Sequence, residues 1–474
     1  MAFLGRQNER DELMRCLHSD RSEFVIVYGR RRIGKTYLVN TVLGHFFTFA
    51  FTGSHSAPTD RELTRFAMTL TASGLDGETP MLHDWYEAFD ALQRLLMAAP
   101  QGKKVVFIDE MPWIDKRGSQ FVAALEDFWN TWAATRGDIM LVACGSATSW
   151  MTNNLVENQG GLHGRITARI HLRPFTLNEC EMYLHAAGCA WDRYQIVQCY
   201  MAIGGIPFYL SLIDPNKSLA QNIDNLFFDS TSRLKGEFNE LYNVLFSDAA
   251  KYIDIVKLLA THPEGLTRQD IVKALRLNSG GGLSQRLDNL VACDFITTYQ
   301  QVGKKNSLIY RLTDFYTLFY YHFIEGVNTH DEQYWVYRAS DRDVQAWQGT
   351  TFELVGLQHI NQIKQALGII GIRTTAAAWR ATGGDKAQID LVLDRADRIT
   401  HLCEMKFSTE EFIVTKQYAE RLRYRMTLFR QATRTRHALI NTLITTYGLA
   451  RGIHAGVFTG CITLDDLFLP KRIL

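Results

Sequence analysis

Runs of apolar residues in the first third of the chain predict the strands of a parallel sheet. Phe24 to Tyr28 and Val105 to Ile108 are apolar or aromatic at every position, and Ile139 to Cys144 forms a third such run. Runs of this kind are typical of strands that are buried on both faces. Helical stretches such as Trp85 to Ala98 alternate with these runs, which is the spacing of βαβ units. The N-terminal part of the chain is therefore predicted to be an α/β domain.

Further along the chain, three helical patterns are followed by a hairpin. The predicted helices lie at Tyr252–Thr261, Thr267–Leu275 and Leu283–Ala292, and the hairpin strands at Phe295–Gln300 and Ser307–Leu312. Together they predict a winged helix, a domain that often binds DNA. The candidate contacts are Ser284, Gln285 and Arg286 on the third helix and Lys304 and Lys305 on the wing. A regulatory spacer is the alternative interpretation.

A phosphate-binding loop is predicted directly after the first apolar run. The sequence GRRRIGKT fits G-x-x-x-x-G-K-[ST] without a mismatch. Its glycines let backbone N–H groups surround an anion, and the next helix points the positive end of its dipole at the same anion. Lys35 would reach the β/γ-phosphates and Thr36 would bind Mg²⁺. The predicted nucleotide-binding residues here are Gly29, Arg30, Arg31, Arg32, Ile33, Gly34, Lys35, Thr36 and Tyr37.

Two carboxylates follow the second apolar run. Asp109 and Glu110 stand at the carboxyl end of that strand, where open α/β sheets bind their ligands. One carboxylate there can hold the Mg²⁺ that Thr36 also binds, and the other can polarise a water for attack on the γ-phosphate. Asp109 is therefore predicted to be a magnesium ligand and Glu110 to activate the water.

Ser146 and Arg165, which both follow the third run, are candidates for contacts with the nucleotide. Ser146 follows this run and is placed to sense the γ-phosphate, although a plain Gly-Ser turn has the same sequence. Arg165 can neutralise the charge that develops on the transferred phosphoryl group, from the same chain or from a neighbouring subunit of a homo-oligomer. An ordinary surface arginine is the alternative.

Length and composition indicate how many domains the chain has and in which cellular compartment it is expected. A chain of 474 residues is too long for a single core, and a net charge of +1 excludes neither a nucleic acid nor a protein as partner. The eight cysteines include no C-x-x-C pair, which predicts reduced core thiols in a cytoplasm rather than a zinc site. No apolar run approaches the length of a membrane span, so no membrane association is expected.

The order of these motifs resembles the archaeal-type ATPases, relatives of the AAA+ and STAND ATPases. The resemblance is carried by GRRRIGKT, FIDEMPW, CGS, HGRIT with LRPF, and the segment from Gly204 to Leu210. It covers the chain up to about Leu210 and continues more weakly to the C-terminus. It implies that Gly5 and Arg6 flank the adenine, that ATP and Mg²⁺ are bound, and that the Gly-x-Pro segment lies in a helical lid.

The C-terminal part holds a second group of polar residues. Asp390 opens the strand IDLVLD, while Glu404 and Lys406 alternate on one face of the strand in ITHLCEMKF. Two carboxylates can hold a divalent metal, and a lysine can orient or activate water beside it. This spacing resembles the D-x(n)-E-x-K core of the PD-(D/E)xK nucleases. The resemblance implies a catalytic role for all three and for Glu353, on a predicted helix from about Gly349 to Leu367, with Asp390 and Glu404 as metal ligands.

A basic segment follows this group. Lys416 to Arg436 contains seven basic residues and one acid. Arg421 and Arg425 share a helical face, as do Arg430 and Arg434, so a basic ridge that contacts DNA phosphates is predicted. A solvated helix face is the alternative.

A crowded run of aromatic residues lies between the winged helix and the C-terminal part, from Asp314 to Asp343. A base-stacking platform is one interpretation of this run. The helical spacing of the aromatic residues favours packing between domains.

Together these patterns predict a multidomain α/β protein. The predicted domains are a P-loop ATPase core (1–175), a helical lid (176–248), a winged helix (249–313), an aromatic-rich helical connector (314–345) and a nuclease-like α/β domain of the restriction-endonuclease type (346–474). The leading function hypothesis is an ATPase that acts on DNA, with metal-dependent phosphodiester cleavage by the C-terminal domain. The alternative is an ATP-driven signalling switch whose C-terminal domain binds a partner without cleaving nucleic acid.

Overall fold

The chain divides into two compact units. The computed structural model describes residues 4–146, 148–156, 161–162, 164–230, 232–246, 248–277, 280–300, 302, 308–327, 331, 333–381 and 387–471. The chain up to Pro174 forms the first unit together with Gln285–Asp294, and Phe175–Ser284 forms the second together with Phe295–Leu474. The second unit is not divided further, so the domain boundaries at 248, 313 and 345 stay predictions.

A parallel sheet with the strand order β2-β3-β4-β1-β5 is the centre of the first unit. Its strands are β1 (Glu23–Tyr28), β2 (Phe47–Thr52), β3 (Lys104–Asp109), β4 (Ile139–Gly145) and β5 (Ala168–His171). The three apolar runs form β1, β3 and β4, so those strand predictions are confirmed. Because all five strands are parallel, their carboxyl ends meet at one edge of the sheet.

Helices of the first unit cover this sheet. They are α1 (Gln7–Leu17), α2 (Lys35–Leu43), α3 (Thr59–Ala72), α4 (Trp85–Ala98), α5 (Met111–Ile114), α6 (Phe121–Thr131) and α7 (Thr148–Met151). The helix predicted at Trp85 to Ala98 is confirmed, and the side chain of Asp84 caps it by accepting a hydrogen bond from the Glu87 N–H. The apolar faces of α4 and α6 meet in the core, where Trp85 contacts Phe121 with ring centroids 4.9 Å apart.

The second unit begins with a group of helices. They are α8 (Leu177–Ala186), α9 (Arg193–Ile203), α10 (Pro207–Leu210), α11 (Leu219–Ile223) and α12 (Glu237–Leu245). The Gly-x-Pro segment ends α9 and begins α10, as predicted for a helix-breaking turn. Gly204 has φ 67°, and a Cβ on Gly205 would lie 2.1 Å from the carbonyl oxygen of Phe175. Both positions therefore require glycine.

The three helices and the hairpin of the predicted winged helix are present. They are α13 (Ala249–Ala260), α14 (Arg268–Ala274), α15 (Gly281–Ala292), β7 (Ile296–Gln300) and β8 (Leu308–Leu312), and α15 belongs to the first unit from Gln285 onward. Thr267 caps α14 as expected, in a capping box with Asp270. A short strand missed by the sequence analysis, β6 (Leu266–Thr267), pairs antiparallel with β8 in a sheet of order β6-β8-β7.

The aromatic residues after β8 pack on one another. They lie on α16 (Phe315–Phe319), on the π-helix Tyr320–Ile324 and on α17 (Tyr334–Arg338). The Trp335 ring lies 5.0 Å from Phe319 and 4.8 Å from Phe323. The buried rings therefore pack on one another, whereas the Tyr337 side chain is 69% exposed. Packing between domains stays a prediction.

A mixed five-stranded sheet of order β13-β12-β11-β10-β9 forms the C-terminal part. Its elements are α18 (Arg342–Gln358), α19 (Ile360–Ala366), β9 (Thr374–Arg380), β10 (Gln388–Arg395), β11 (Ile399–Lys406), α20 (Lys416–Thr433), β12 (Ala438–Thr445), β13 (Gly460–Ile462) and α21 (Leu464–Leu467). β9, β10 and β11 are antiparallel neighbours, whereas α20 carries the chain across to β12, which is parallel to β11. Strands that run in the same direction need such a crossover.

Two sequence-based expectations need correction. The helix expected from Gly349 to Leu367 is two helices, α18 and α19, which meet at His359. There the imidazole Nε2 accepts a hydrogen bond from the Leu177 N–H, at 3.0 Å. The eight cysteines are unpaired, but Cys461 is exposed whereas the other seven are buried. In the described part of the chain, no helix combines the length and apolarity required to cross a membrane.

Candidate functional site

The predicted phosphate-binding loop connects β1 with α2 at the carboxyl edge of the parallel sheet. Gly34 (φ 89°) precedes the first helical residue, Lys35. At Gly29 (φ 149°), a Cβ would lie 2.3 Å from the carbonyl oxygen of Leu172. The loop can therefore turn only with glycine at these positions, and the turn points the N-terminus of α2 at the space that the loop encloses.

Lys35 and Thr36 lie at the start of α2 and contact different partners. The buried Lys35 ammonium donates hydrogen bonds to the carbonyl oxygens of Gly29 and Arg30, both at 3.0 Å. The Thr36 hydroxyl donates to Asp109 Oδ2 at 2.7 Å. A hydroxyl and a carboxylate oxygen this close, beside an anion-binding loop, suit Mg²⁺. The residues predicted as its ligands are therefore brought together.

Glu110 is held by the residue predicted to sense the γ-phosphate. Ser146 follows β4, and its hydroxyl donates to Glu110 Oε2 at 2.8 Å while its backbone N–H donates to the same oxygen at 3.2 Å. Glu110 itself has φ 46°, a left-handed conformation that is uncommon outside glycine. Ser146 therefore binds the carboxylate of the proposed base, a contact that was not predicted from the sequence.

The other predicted nucleotide contacts have varied surroundings. Arg30 is almost fully buried, whereas the Tyr37 side chain is 58% exposed. Gly5 and Arg6 both have positive φ, and Arg6 is the buried residue that precedes α1. Arg165 is exposed in the turn before β5. Their roles toward a nucleotide stay predictions.

The hairpin of β10 and β11 forms the second candidate site. Leu391 lies opposite Cys403 in its register, and the next residues of the two strands are Asp390 and Glu404. Burial raises the pKa of the Cys403 thiol to about 12. The alternation of a strand places this side chain on the face opposite Glu404.

Three side chains bind the Glu404 carboxylate. Its Oε1 atom lies 3.0 Å from the Lys406 Nζ and accepts a hydrogen bond of 2.5 Å from the Tyr418 hydroxyl. Its Oε2 atom accepts a hydrogen bond of 2.5 Å from the Arg425 Nη1. Burial alone would raise the pKa of Glu404, but the positive charges of Arg425 and Lys406 and the hydrogen bonds together lower it to about 2. Glu404 is therefore ionised at neutral pH.

Glu353 and Asp390 are the other two acids of this site. Burial raises the pKa of Glu353 to about 8, and the negative charge of Asp390 adds to this effect. Burial also raises the pKa of Asp390, while Arg311 opposes the rise and Glu404 adds to it. Arg311 comes from β8, and its Nη2 lies 3.8 Å from Glu353 Oε2. The three carboxylates therefore influence one another electrostatically, as groups of one site do.

The chemistry of this donor set suits a divalent cation, although its present geometry does not. Two of the acids have raised pKa values because burial and negative neighbours disfavour their charge, and a cation would relieve both effects. In the described ranges, however, no three His, Cys, Asp or Glu side chains are arranged to hold a metal ion. Glu404 is instead neutralised by basic side chains of the protein.

The predicted basic ridge needs correction, and its contact with DNA stays a prediction. The exposed Arg421 lies over the Tyr418 ring, with 4.5 Å from its Cζ to the ring centroid, while the Arg425 side chain is only 11% exposed and points to Glu404. Arg434 follows the last residue of α20 and has φ 53°, so it does not continue a helical face with Arg430. A left-handed residue ends the helical repeat at this point.

Tyr418 and Arg311 belong to this site although the sequence did not predict them, and Arg425 was predicted only as part of the outer ridge. Tyr418 and Arg425 are seven residues apart on one helix and therefore on one face, which was a signal available in the sequence. Arg311 had no such signal, because only the tertiary structure brings β8 to this hairpin.

Three of the five residues predicted to contact DNA from the winged helix, Ser284, Gln285 and Arg286, are among the described residues. The Ser284 hydroxyl accepts a hydrogen bond from Arg268 Nε at 3.1 Å, and Gln285 is exposed and donates to Asn289. Arg286 is half-buried. Lys304 and Lys305 lie outside the described residues. DNA contact by this region stays a prediction.

The N-terminal part of the chain is similar to a known family of ATPase domains. Residues 3–213 match the sequence model of an ATPase domain found predominantly in Archaea. The prediction of an archaeal-type ATPase domain with a parallel-sheet P-loop core is therefore confirmed for this part of the chain.

Similarity to a known protein sequence extends beyond that domain. An uncharacterized protein of Methanocaldococcus jannaschii, MJECL04, is 22% identical over 370 residues, which are 77% of this chain and 78% of that protein. The Walker-type ATPase PABY2304 of Pyrococcus abyssi is 17% identical with a TM-score of 0.49, covering 67% of this chain and 95% of its own. The ORC2 protein of Aeropyrum pernix in its ADPNP-ADP complexes is 13% identical with a TM-score of 0.42, covering 75% of this chain and 95% of its own.

Proposed function

We propose that the first unit binds and hydrolyses ATP with Mg²⁺, and that the protein acts on DNA. The observation that carries the first half is the set of contacts at one sheet edge, in which Thr36 meets Asp109 and Ser146 meets Glu110. Thr36 and Asp109 would hold Mg²⁺, which when bound neutralises charge on the β- and γ-phosphates. The loop N–H groups and Lys35 bind the phosphates. Glu110 orients the attacking water and accepts its proton.

Arg165 would add a second positive charge, besides that of Lys35, to the phosphates of the bound nucleotide. Its exposed position in the turn before β5 suits a contact with the nucleotide of a neighbouring subunit better than a contact within one core. Hydrolysis by the wild type should then rise per subunit with protein concentration, whereas Arg165→Ala should stay slow. Normal hydrolysis by Arg165→Ala at every protein concentration would remove this role.

For the C-terminal part we propose metal-dependent cleavage of phosphodiester bonds. The proposal rests on the proximity of Asp390 and Glu404 across the β10–β11 hairpin and on Lys406 beside Glu404. Once Glu404 is released from Arg425 or Lys406, Asp390 and Glu404 would hold Mg²⁺ or Mn²⁺, which when bound supplies a nucleophilic water. Lys406 orients that water or stabilises the phosphate, and Glu353 supports the site from α18. The exposed arginines of α20 would contact the DNA backbone.

A signalling switch without cleavage is the second candidate. One observation favours it, namely that Arg425, Lys406 and Tyr418 already bind both oxygens of Glu404. A carboxylate bound in this way can stabilise a fold without ever coordinating a metal.

An assay of both activities on the same protein tests the proposal. ATP hydrolysis and the cleavage of mixed DNA and RNA substrates are measured with Mg²⁺ or Mn²⁺, with and without ATP. Lys35→Ala should abolish ATP binding, because the loop loses its buried ammonium. Asp390→Ala should abolish cleavage while ATP hydrolysis continues.

The two variants serve as controls for each other, because each removes one site only. Cleavage that persists in Asp390→Ala would point to a contaminating nuclease. The absence of cleavage of any substrate by the wild type would favour the switch.

A further inference from the structure

Arg425 binds Glu404 with only one nitrogen, Nη1, of its guanidinium group. Nη1 donates to Glu404 Oε2 at 2.5 Å and to the Gln388 carbonyl oxygen at 3.3 Å. Nε and Nη2 are inaccessible to solvent, and in the described part of the chain neither has a hydrogen-bond acceptor. The N–H donors on Nε and Nη2 of this charged group are thus closed to solvent and unsatisfied.

This arrangement differs from that of a structural ion pair. Arginine and a carboxylate commonly pair through two parallel hydrogen bonds. Here the second carboxylate oxygen is bound by Lys406 and Tyr418 instead. The edge of Arg425 that stays without acceptors, formed by Nε and Nη2, is the planar fork that binds two oxygens of a phosphate. Because both nitrogens are closed to solvent, the side chain has to turn away from Glu404 to present this edge to a nucleic acid.

We propose that Arg425 binds a phosphodiester oxygen at the C-terminal site, and that until it does so its contact with Glu404 weakens the binding of a divalent cation there. The proposal rests on the proposed nuclease function of that site. A cation that approaches Glu404 meets the positive charge of Arg425 at hydrogen-bond distance. A phosphodiester that binds the Arg425 guanidinium in place of Glu404 removes this repulsion. Nucleic acid and metal should therefore each strengthen the binding of the other.

The test is a calorimetric titration of the full chain with Mn²⁺, without nucleotide, in the presence and absence of a short phosphorothioate DNA duplex. The Asp390→Asn variant serves as the blank, which assigns the heat of binding to the C-terminal site. For the wild type we expect weak binding of Mn²⁺ that tightens by about tenfold with DNA, the change that corresponds to a coupling in the usual range.

Arg425→Gln should bind Mn²⁺ about tenfold more tightly than the wild type without DNA, and DNA should add little. Arg425→Lys keeps a positive charge but lacks the planar fork. It should bind Mn²⁺ weakly, as the wild type does, and should lose the tightening by DNA. Arg421→Gln is the matched control in DNA-free titrations, because it removes the same charge from an exposed position one turn earlier on α20.

Equal affinity of the wild type and Arg425→Gln for Mn²⁺ overturns the inference and leaves the proposed function intact, as does an equal gain in Arg421→Gln. If Arg425→Gln does not fold, the Lys variant decides, and unchanged tightening by DNA in Arg425→Lys overturns the inference. The absence of Asp390-dependent Mn²⁺ binding under all conditions removes both the inference and the metal site on which it rests.

Discussion

Glu110 follows β3 in the first unit and Glu404 lies near the end of β11 in the second, and the groups that bind the two carboxylates differ. One oxygen of Glu110 accepts hydrogen bonds from the hydroxyl and the backbone N–H of Ser146, both neutral. Glu404 is bound by the charged groups of Lys406 and Arg425 and by Tyr418. Neutral donors orient a carboxylate without cancelling its charge, whereas cations cancel it.

The Glu110 carboxylate is therefore oriented by its partners, whereas the charge of the Glu404 carboxylate is neutralised. A carboxylate held by neutral donors keeps the ability to accept a proton from water, as the proposed role of Glu110 requires. A carboxylate that lies between two cations must lose one of them before it can bind a metal ion. The first site is therefore arranged for its proposed chemistry as it stands, and the second requires a change at Arg425 or Lys406.

The largest effect is expected from Glu110→Gln. The amide keeps the size and the hydrogen-bonding capacity of the side chain but cannot accept the proton, so ATP hydrolysis should slow by about 10²- to 10⁴-fold. The binding of ATP, measured by fluorescence with a labelled analogue, should stay within a few-fold of the wild type.

Lys35→Ala is the control, because it should lose binding itself. Equal hydrolysis rates for Glu110→Gln and the wild type would show that Glu110 is not the base and would end the contrast with Glu404.

The same substitution at the second site should act on stability. Glu404→Gln leaves Arg425 and Lys406 without their counter-charge, and the loss of one partner of a buried ion pair typically costs 3–5 kcal/mol. Because Lys406 is 35% exposed and partly compensated by solvent, we expect about 3 kcal/mol here. The measurement is the free energy of unfolding in urea.

Glu110→Gln is the matched variant for this experiment. It should change the free energy of unfolding by less than about 1 kcal/mol, since no charged group binds Glu110 through the contacts described above. Similar losses of stability for the two variants would contradict the division into an oriented and a neutralised carboxylate.

The smallest effect is expected from Ser146→Ala. The substitution removes the hydroxyl bond to Glu110 but keeps the backbone N–H bond, so hydrolysis should slow by about tenfold, the kinetic equivalent of one hydrogen bond to a charged group. In the Glu110→Gln background the substitution should have almost no further effect on the rate. Fully additive effects would mean that Ser146 acts on the nucleotide and not through Glu110.

Much of the first unit could be predicted because its signals are local. The apolar runs of β1, β3 and β4 and the loop between Gly29 and Thr36 are each defined by neighbouring residues. Since parallel strands end at one edge, the meeting of Thr36 with Asp109 also followed from sequence order. The role of Ser146 did not, because the same Gly-Ser sequence serves a turn, a phosphate contact or a contact with Glu110.

The sequence by itself determined the ATPase core, the order of its motifs, and the hairpin that brings Asp390 to Glu404, because these depend on periodicity and on short spacings along the chain. Only the tertiary structure decided which charges surround Glu404 and Glu353. Arg425 comes from a helix and Arg311 from a strand of another sheet, and each reaches the acids through packing between distant segments. Burial then sets the electrostatics, raising the pKa of Glu353 to about 8 while the cations lower that of Glu404 to about 2. Burial and distant partners are properties of the folded core, which no local pattern of residues encodes.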